Sequence, residues 1–344
     1  MYWHAHENFR TMPWKESKNP YFIWLSEIIL QQTRVEQGLA YYLKFIAAFP
    51  TVAHLAKAKD SNVFKLWEGL GYYSRCRNLL ITAREINEQF ANVFPSNYSQ
   101  LISLKGIGPY TAAAIASFAF NKPYAVVDGN VNRVIARYFG ITTPVNTLST
   151  TKLINEQAQK LLDKKMPGLY NQAIMDLGAT ICKPKNPLCE ACPLQKKCVA
   201  YAKDMLYLPI KLKKVPKKIR WLNYIIATTS SKILVTQRLQ KDIWQQLYQF
   251  FLIESVADLG IEDVMQTQEF KAAFSLPYLT SKISKIEVQQ LTHQTIKGFK
   301  IHISLQEEIP IAGYKWITFK TLKKIAFPKF LSQDVSEYTT RQIP

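Results

Sequence analysis

The chain has 344 residues, 48% of them hydrophobic, which is enough for two or three separately cored units. Its 44 Lys and Arg residues outnumber 25 Asp and Glu residues and give a formal charge of +19, so nucleic acid is the first partner to consider. A basic surface that only prevents aggregation is the alternative. The sequence shows neither a signal peptide nor an apolar run of membrane length, which argues against a secreted or membrane protein. We expect a cytoplasmic protein with reduced cysteines.

The first helix that carries candidate chemistry is predicted to begin with Asn19 as its cap and Pro20 at its first position. Glu27 lies two turns into this helix, and three of its four helical neighbours are apolar. Such surroundings should raise the pKa of the carboxyl group toward neutrality, as suits a proton donor. A position on the wet face of the helix is the alternative. Gln31 and Gln32 follow, with amides that can reach base edges.

A turn interrupted by glycines is predicted within residues 66–77. It presents Leu70 and Tyr72 beside Arg75 and Arg77. This combination suits a wedge that enters a base stack while the arginines hold the DNA backbone. Packing of the tyrosines in a core is the alternative.

A tight hairpin between two helices is predicted at residues 104–111. Gly106 and Gly108 stand two apart, with Pro109 and a run of small residues after them. The backbone N–H groups of such a turn open toward an anion, so the hairpin should bind phosphate without reading sequence. Two glycines alone would be a weak signal, but the flanking helices and the basic composition strengthen it.

Residues 125–127 are apolar, and Asp128 follows them at the point where another helix is predicted to begin. Plain N-capping explains such an aspartate, and it is compatible with a second role. A carboxylate at a helix start stays ionised. Asp128 could therefore be the anion that partners the acid Glu27, the split pair that glycoside cleavage requires.

Four cysteines lie within seventeen residues, with six, two and five residues between them. Four thiolates without a nearby histidine can hold a zinc ion or a [4Fe-4S] cluster, and one tight pair between two looser ligands favours the cluster. Disulfides and buried apolar cysteines fit this density poorly. Lysines in the loop would offer a surface for polyanions. The ligand set is Cys182, Cys189, Cys192 and Cys198, and the lysines are Lys183, Lys185, Lys196 and Lys197.

A linker is predicted at residues 203–220, because six of the ten residues in 211–220 are basic and none is acidic. Before it, apolar residues recur mostly at helical spacing. After it, short β-branched and aromatic segments at 221–229, 232–237 and 299–305 predict strands. An all-α part should therefore precede a mixed α+β part.

The hairpin, the Val-Asp-Gly-Asn segment and the cysteine spacing, in this order, resemble the endonuclease III superfamily of DNA glycosylases. Five further segments are similar to its MutY-type adenine glycosylase family: residues 12–14, 24–27, 30–33, 69–73 and 171–179. The resemblance is dense over residues 1–202 and thinner over 221–344. It implies a six-helix part at about 12–123, an iron-sulfur part formed by 1–11 and 124–202, the linker 203–220 and a Nudix-like domain at 221–344.

The resemblance implies a monofunctional hydrolase of base excision repair that removes adenine paired with 8-oxoguanine or guanine in double-stranded DNA. Glu27 would protonate the flipped adenine, and Asp128 would stabilise the sugar cation. Tyr110 stands where lyases of the superfamily carry lysine, and a phenol cannot form a Schiff base. Lys15 replaces an arginine common in the family, which leaves that arginine's contact in doubt.

A [4Fe-4S] cluster as cofactor, a monomeric state and a nucleoid location, with no membrane, belong to the same expectation. The resemblance assigns the oxidised base and the gap to residues 32, 33, 70 and 72, and the adenine pocket to residue 172. The predicted DNA-binding residues are Gln31, Gln32, Thr33, Leu70, Tyr72, Arg75, Arg77, Gly106, Gly108, Gln172, Thr292 and His293.

The C-terminal part resembles a Nudix fold without the residues that hydrolysis requires. The glutamate-rich helix that would hold magnesium is missing, and glutamines stand for the usual glycines around Trp244. This module should therefore read a base and not hydrolyse a nucleotide. The resemblance further implies that Leu291-Thr292-His293 corresponds to the Phe-Ser-His loop with which the family contacts 8-oxoguanine, although His293 could be an ordinary surface residue.

Two other functions are compatible with the sequence. One is a pyrimidine or mismatch glycosylase of the same superfamily, which the C-terminal module argues against. The other is a damage-binding protein without catalysis, in which Glu27 or Asp128 would be dispensable.

Overall fold

The computed structural model describes residues 1–212 and 216–340. Part of the predicted linker, residues 213–215, therefore lies outside the described residues. The chain divides into two compact units, Met1–Lys57 with Arg77–Lys214, and Ala58–Cys76 with Val215–Pro344. Residues 58–76 thus belong with the C-terminal residues, a grouping that hydrophobic periodicity does not encode. The division into domains at 203–220 stays a prediction.

The chain up to residue 212 is helical, as its apolar spacing predicts, and no strand is found among those residues. Of its twelve helices, α5 belongs to the second unit, and α6 contains the boundary between the units. In chain order they are α1 (Tyr2–His6), α2 (Pro20–Leu30), α3 (Val35–Ala48), α4 (Val52–Lys57), α5 (Asp60–Trp67), α6 (Tyr73–Gln89), α7 (Tyr98–Ser103), α8 (Pro109–Phe120), α9 (Gly129–Phe139), α10 (Leu148–Leu161), α11 (Pro167–Thr180) and α12 (Val199–Ala202).

Helices α2 and α8 pack against each other in the first unit and bring their functional ends together. Asn19 caps α2, since its side chain accepts a hydrogen bond from the Tyr21 N–H at 2.9 Å, and Pro20 occupies the first position, as predicted. Four alanines of α8 are buried, and such small side chains let helices approach closely. A second core joins α1, α9, α10 and α11 through Trp3, Val134 and Ile174.

The second unit contains a β-sheet built around one long strand. The strands are β1 (Lys218–Thr228), β2 (Lys232–Gln237), β3 (Tyr248–Gln249), β4 (Phe251–Ser255), β5 (Tyr278–Ile283), β6 (Glu287–Gln290), β7 (Gln294–Gly298), β8 (Lys300–Leu305) and β9 (Lys315–Thr318). Strand β1 pairs antiparallel with β2 and β4 and parallel with β7 and β8. Further antiparallel pairs are β2 with β3 and β9, β5 with β8, and β6 with β7.

The three strands predicted from sequence correspond to β1, β2 and β8, which confirms the β-rich C-terminal region. Gly298 lies where β1 changes its parallel partner from β7 to β8. A Cβ atom there would collide with the carbonyl oxygen of Leu222, so only glycine fits. Helices α13 (Ile261–Gln266), α14 (Gln268–Ala273), α15 (Phe319–Leu322) and α16 (Ser332–Thr340) complete the unit.

One face of the sheet forms an apolar core with residues of α13 and α14, including Ile225, Phe251, Val264 and Phe270. Across the described ranges, no helix combines the length and the apolar composition that a bilayer span requires.

Candidate active site

A cavity of about 420 Å³ in the first unit collects residues from α2, α8, α9 and α11. It contains all three predicted catalytic residues and four of the predicted DNA-binding residues. The predicted residues that line it are Glu27, Gln31, Gln32, Thr33, Tyr110, Asp128 and Gln172.

Glu27 is buried on α2, with only 8% of its surface exposed. Burial raises the pKa of its carboxyl group to about 7, and the nearby charge of Asp128 adds to this increase. The Tyr110 hydroxyl donates a 2.6 Å hydrogen bond to Oε2, which acts in the opposite direction. Near neutral pH this side chain can therefore both give and take a proton.

Tyr110 occupies the second position of α8, directly after Pro109. Burial and the neighbouring Glu27 raise the pKa of its phenol well above the usual range. The phenol therefore stays protonated and remains a hydrogen-bond donor to the carboxylate.

Asp128 caps α9, as predicted, and the same residue lines the cavity that contains Glu27. Its Oδ1 accepts hydrogen bonds from the backbone N–H groups of Asn130, at 2.8 Å, and Val131, at 2.7 Å. Its Oδ2 accepts a 2.8 Å bond from the Asn130 side-chain amide. These bonds hold the Asp128 carboxylate in one orientation in the cavity that it shares with Glu27.

A chain of hydrogen bonds leads from Asp128 to the cysteine loop. The Asn130 side chain accepts a 2.9 Å bond from Arg133 Nη2, and Arg133 Nε donates to the carbonyl oxygen of Cys182 at 2.7 Å. Arg133 also binds the carbonyl oxygen of Gly178 on α11 at 2.6 Å. The position of Asp128 thus depends on α11 and on the cysteine loop.

The four predicted ligand cysteines line one small cavity, and they are not in disulfides. Buried Arg137 lies against them, with Nη1 donating to Cys182 Sγ at 3.3 Å and to the Lys183 carbonyl oxygen at 2.7 Å. Within the described ranges, Arg137 makes no ion pair with a carboxylate. A negatively charged group among the four cysteines would therefore offset the buried charge of Arg137. No three Cys, His, Asp or Glu side chains in the described part of the chain form a group suited to one metal ion.

The predicted hairpin connects α7 to α8. Gly106 has a φ of +78°, and a Cβ atom there would lie 2.6 Å from the Asn78 Cβ, so this position requires glycine. Gly108 is the N-cap of α8, where the unpaired N–H groups of a helix start can meet an anion.

The second unit brings together two predicted recognition residues from distant parts of the sequence. The Tyr72 hydroxyl and Thr292 Oγ1 form a 2.6 Å hydrogen bond, and both residues are exposed. Leu70 is buried in this unit and is not displayed as a wedge. Arg75 stacks over the rings of Trp67 and Tyr72, whereas Arg77 belongs to the first unit. His293 is exposed.

Asp176 is one of the cavity residues that were not predicted from the sequence. Asp176 on α11 is 1% exposed and makes ion pairs with Lys15 Nζ at 2.5 Å and Arg10 Nη1 at 2.9 Å. All three residues line the cavity, and Lys15, which replaces an arginine common in the family, contacts Asp176 there. The signal that could have revealed Asp176 is its place four residues after Gln172, on the same face of α11.

Known proteins are similar to this chain in sequence and in helical fold. Residues 25–164 match the family described as HhH-GPD superfamily base excision DNA repair protein. The adenine DNA glycosylase of Buchnera aphidicola subsp. Baizongia pistaciae (strain Bp) is 38% identical over 253 residues, which cover 72% of this chain and 71% of that protein. The chain belongs to the adenine DNA glycosylase family. The family resemblance predicted from the motifs is therefore confirmed.

Two further relatives show how widely the glycosylase part is shared. The adenine DNA glycosylase of Mus musculus is 44% identical over 209 residues, which cover 58% of this chain and 40% of that protein. The solved structure of a thermostable thymine-DNA glycosylase has 32% identity and a TM-score of 0.53, and the match covers 57% of this chain and 91% of that chain. These matches confirm the helix-hairpin-helix glycosylase fold, which also occurs in an enzyme named for a different base.

Proposed function

We propose that this protein is a monofunctional DNA glycosylase that excises adenine paired with 8-oxoguanine or guanine. Membership of the adenine DNA glycosylase family supports hydrolysis of the bond between adenine and deoxyribose. The observation that carries the proposal is the placement of Glu27, whose pKa is about 7, in one cavity with Asp128 and Tyr110.

The reaction would begin when adenine leaves the base stack and enters the cavity, as enzymes that act on a base require. Glu27 would donate its proton to a ring nitrogen and make the base a better leaving group. An acid whose pKa lies near the working pH suits this step, because it is protonated often enough and still gives up its proton readily.

The sugar would then carry positive charge, for which Asp128 is the anionic neighbour. Its orientation is already held by Asn130 and by the start of α9, so little rearrangement is needed when the charge develops. Glu27, now ionised, would take a proton from the incoming water, the exchange of roles known for retaining glycosidases. Tyr110 would support the sugar while it stabilises the Glu27 carboxylate.

Strand cleavage is not expected, because Tyr110 offers no amine for a Schiff base with the sugar. The DNA should therefore remain intact until alkali cleaves the abasic site.

DNA would be held by the hairpin at Gly106 and Gly108 and by the predicted contacts of the cavity residues Gln31, Gln32, Thr33 and Gln172. The C-terminal residues 221–344 would form a Nudix-like domain that reads 8-oxoguanine. The hydrogen bond between Tyr72 and Thr292 supports this role, because it joins the two regions predicted to meet the oxidised base. The enzyme would act as a monomer on nucleoid DNA.

We further propose that Cys182, Cys189, Cys192 and Cys198 hold a [4Fe-4S] cluster. The cavity that they share and the buried charge of Arg137 support an anionic centre. The cluster would supply a rigid support for the lysines of the loop and takes no part in base removal. Iron and acid-labile sulfide in about equal molar amounts in the purified protein would support this cluster. One zinc ion per chain in place of iron would contradict it.

The competing function is excision of a pyrimidine, since a thymine-DNA glycosylase shares the fold. One assay separates the possibilities: duplexes with each of the four bases opposite 8-oxoguanine or guanine, analysed with and without alkali. Release of adenine only, with cleavage only after alkali, is expected. Thymine release would support the competing function, no release would support a binding protein, and cleavage without alkali would contradict the monofunctional mechanism.

A further inference from the structure

Lys300 is fully buried at the start of β8, although lysine is rarely found inside a protein without a partner. Its Nζ lies 2.6 Å from Glu287 Oε2 and 3.0 Å from Asp334 Oδ2. It also sits 4.9 Å from the centre of the Phe330 ring. Asp334 is buried with Lys300 and offsets its charge, whereas Glu287 is a second and more exposed carboxylate partner.

The network continues into the last described helix. Asp334 Oδ1 lies 3.3 Å from His302 Nε2 on β8, and His302 Nδ1 shares a 2.8 Å hydrogen bond with the Tyr338 hydroxyl. Asp334 and Tyr338 both belong to α16, and both are buried. These charged contacts and the hydrogen bond of His302 with Tyr338 join α16 to β8.

Glu287 carries the network to the recognition hairpin. It is the first residue of β6, and the β6–β7 turn contains Thr292. The residues just before β6 are held at the same place, because Ser284 N donates to the Lys300 carbonyl oxygen at 2.9 Å and Ser284 Oγ accepts from Lys300 N at 3.0 Å.

The outer strand of the hairpin, β6, needs such an attachment. Strand β6 is four residues long, and its residues alternate between partly buried and exposed, so it contributes no fully buried side chain to a core. Strand β7 is held in the sheet by β1, but among the described residues β6 pairs only with β7 and lies at the edge of the sheet. Small movements at its base would change the position of Thr292 relative to Tyr72.

We propose that Lys300, held by Asp334 of α16, is a positioning residue that fixes the β6–β7 hairpin through Glu287 and so sets the preference for the base opposite adenine. This inference rests on the proposed reading of 8-oxoguanine by Thr292. Lys300 itself touches no DNA in this scheme.

Glu287→Gln is the sharpest test, because the Glu287 side chain is 40% exposed and its loss leaves the buried pair of Lys300 and Asp334 intact. The matched control is Glu308→Gln, which removes a 2.6 Å ion pair with Lys232 from a glutamate that is 43% exposed in the same unit. Single-turnover base release is measured against enzyme concentration on adenine:8-oxoguanine and adenine:guanine duplexes. Hydrogen exchange of the β6–β7 amides and thermal unfolding are measured without DNA.

Glu287→Gln should raise the half-saturating concentration on the 8-oxoguanine duplex about five-fold, the upper range for an ion pair of this exposure. The guanine duplex, the maximal rates and the melting temperature should not change, and exchange of the hairpin amides should accelerate. Glu308→Gln should resemble the wild type. Equal effects on both duplexes, or unchanged kinetics and exchange, would overturn the inference. If the wild type shows no preference between the two duplexes, the proposed reading of 8-oxoguanine is refuted instead. Hydrogen exchange alone would then test whether Glu287 anchors the β6–β7 hairpin.

Discussion

Tyr110 and Glu27, which are 83 positions apart in sequence, share a 2.6 Å hydrogen bond at the junction of α8 and α2. Burial alone would carry the pKa of Glu27 higher, and the donated hydrogen bond lowers it. The value of about 7 is thus a balance between the apolar surroundings and one phenol.

Tyr110→Phe removes the bond that favours the ionised carboxyl group, so the pKa of Glu27 should rise further. The rate of base release should depend on protonated Glu27 and should therefore fall at a higher pH than in the wild type, where the fall lies near pH 7. The measurement is single-turnover base release as a function of pH. Tyr170→Phe, outside the cavity, is the control and should leave the profile unchanged. A decline at the wild-type pH or lower would contradict this balance.

Glu27→Gln should abolish base release, because an amide cannot donate the required proton, while DNA binding is retained. It should also stabilise the DNA-free protein at pH 8. The folded state holds the Glu27 proton up to about pH 7, and the unfolded chain releases it near the ordinary pKa of 4.5. The wild type therefore loses up to about 3 kcal/mol of unfolding free energy as the pH rises across this range.

Urea denaturation at pH 5 and pH 8 measures this difference. The stability of Glu27→Gln relative to the wild type should increase with pH. Glu36→Gln, an exposed position on α3, should show no such increase. Parallel pH dependence in Glu27→Gln and the wild type would show that Glu27 is not protonated in the folded state.

Gly178→Ala should displace the start of α9 and with it Asp128. A Cβ atom at Gly178 would lie 2.7 Å from the Asn130 Cβ and 2.9 Å from its carbonyl oxygen. The crowding should cost about 1–3 kcal/mol of unfolding free energy, and base release should slow. Gly129→Ala is the control for stability, because its Cβ would meet nothing within 4 Å. Wild-type kinetics in Gly178→Ala would mean that α9 can shift without moving Asp128.

Gln246→Gly should stabilise the C-terminal unit. Gln246 has a φ of +72°, a conformation that costs most side chains about 1 kcal/mol and glycine nothing. Part of this gain is offset by the greater freedom of glycine in the unfolded chain. Thermal unfolding should show a rise of a few degrees. Gln245→Gly, at a neighbouring position without positive φ, should lower the melting temperature, and a similar result for both variants would contradict the conformational argument.

Local patterns were sufficient for the features that depend on near neighbours in the chain. The apolar neighbours of Glu27 on its own helix predicted its burial, and the apolar approach to Asp128 predicted a helix cap. The spacing of the cysteines predicted one ligand set, and the four now line one cavity. The motifs also predicted the family, because the hairpin, the helix start and the cysteines occur in a particular order.

Contacts between distant segments were decided only by tertiary structure. The bond from Tyr110 to Glu27, the ion pairs of Asp176 with Arg10 and Lys15, and the burial of Lys300 bring together residues that no helical or strand period relates. Periodicity records which face of an element is apolar, but it does not record which other element covers that face. The sequence by itself therefore determined the chemical groups and their local supports, and packing decided which of those groups meet.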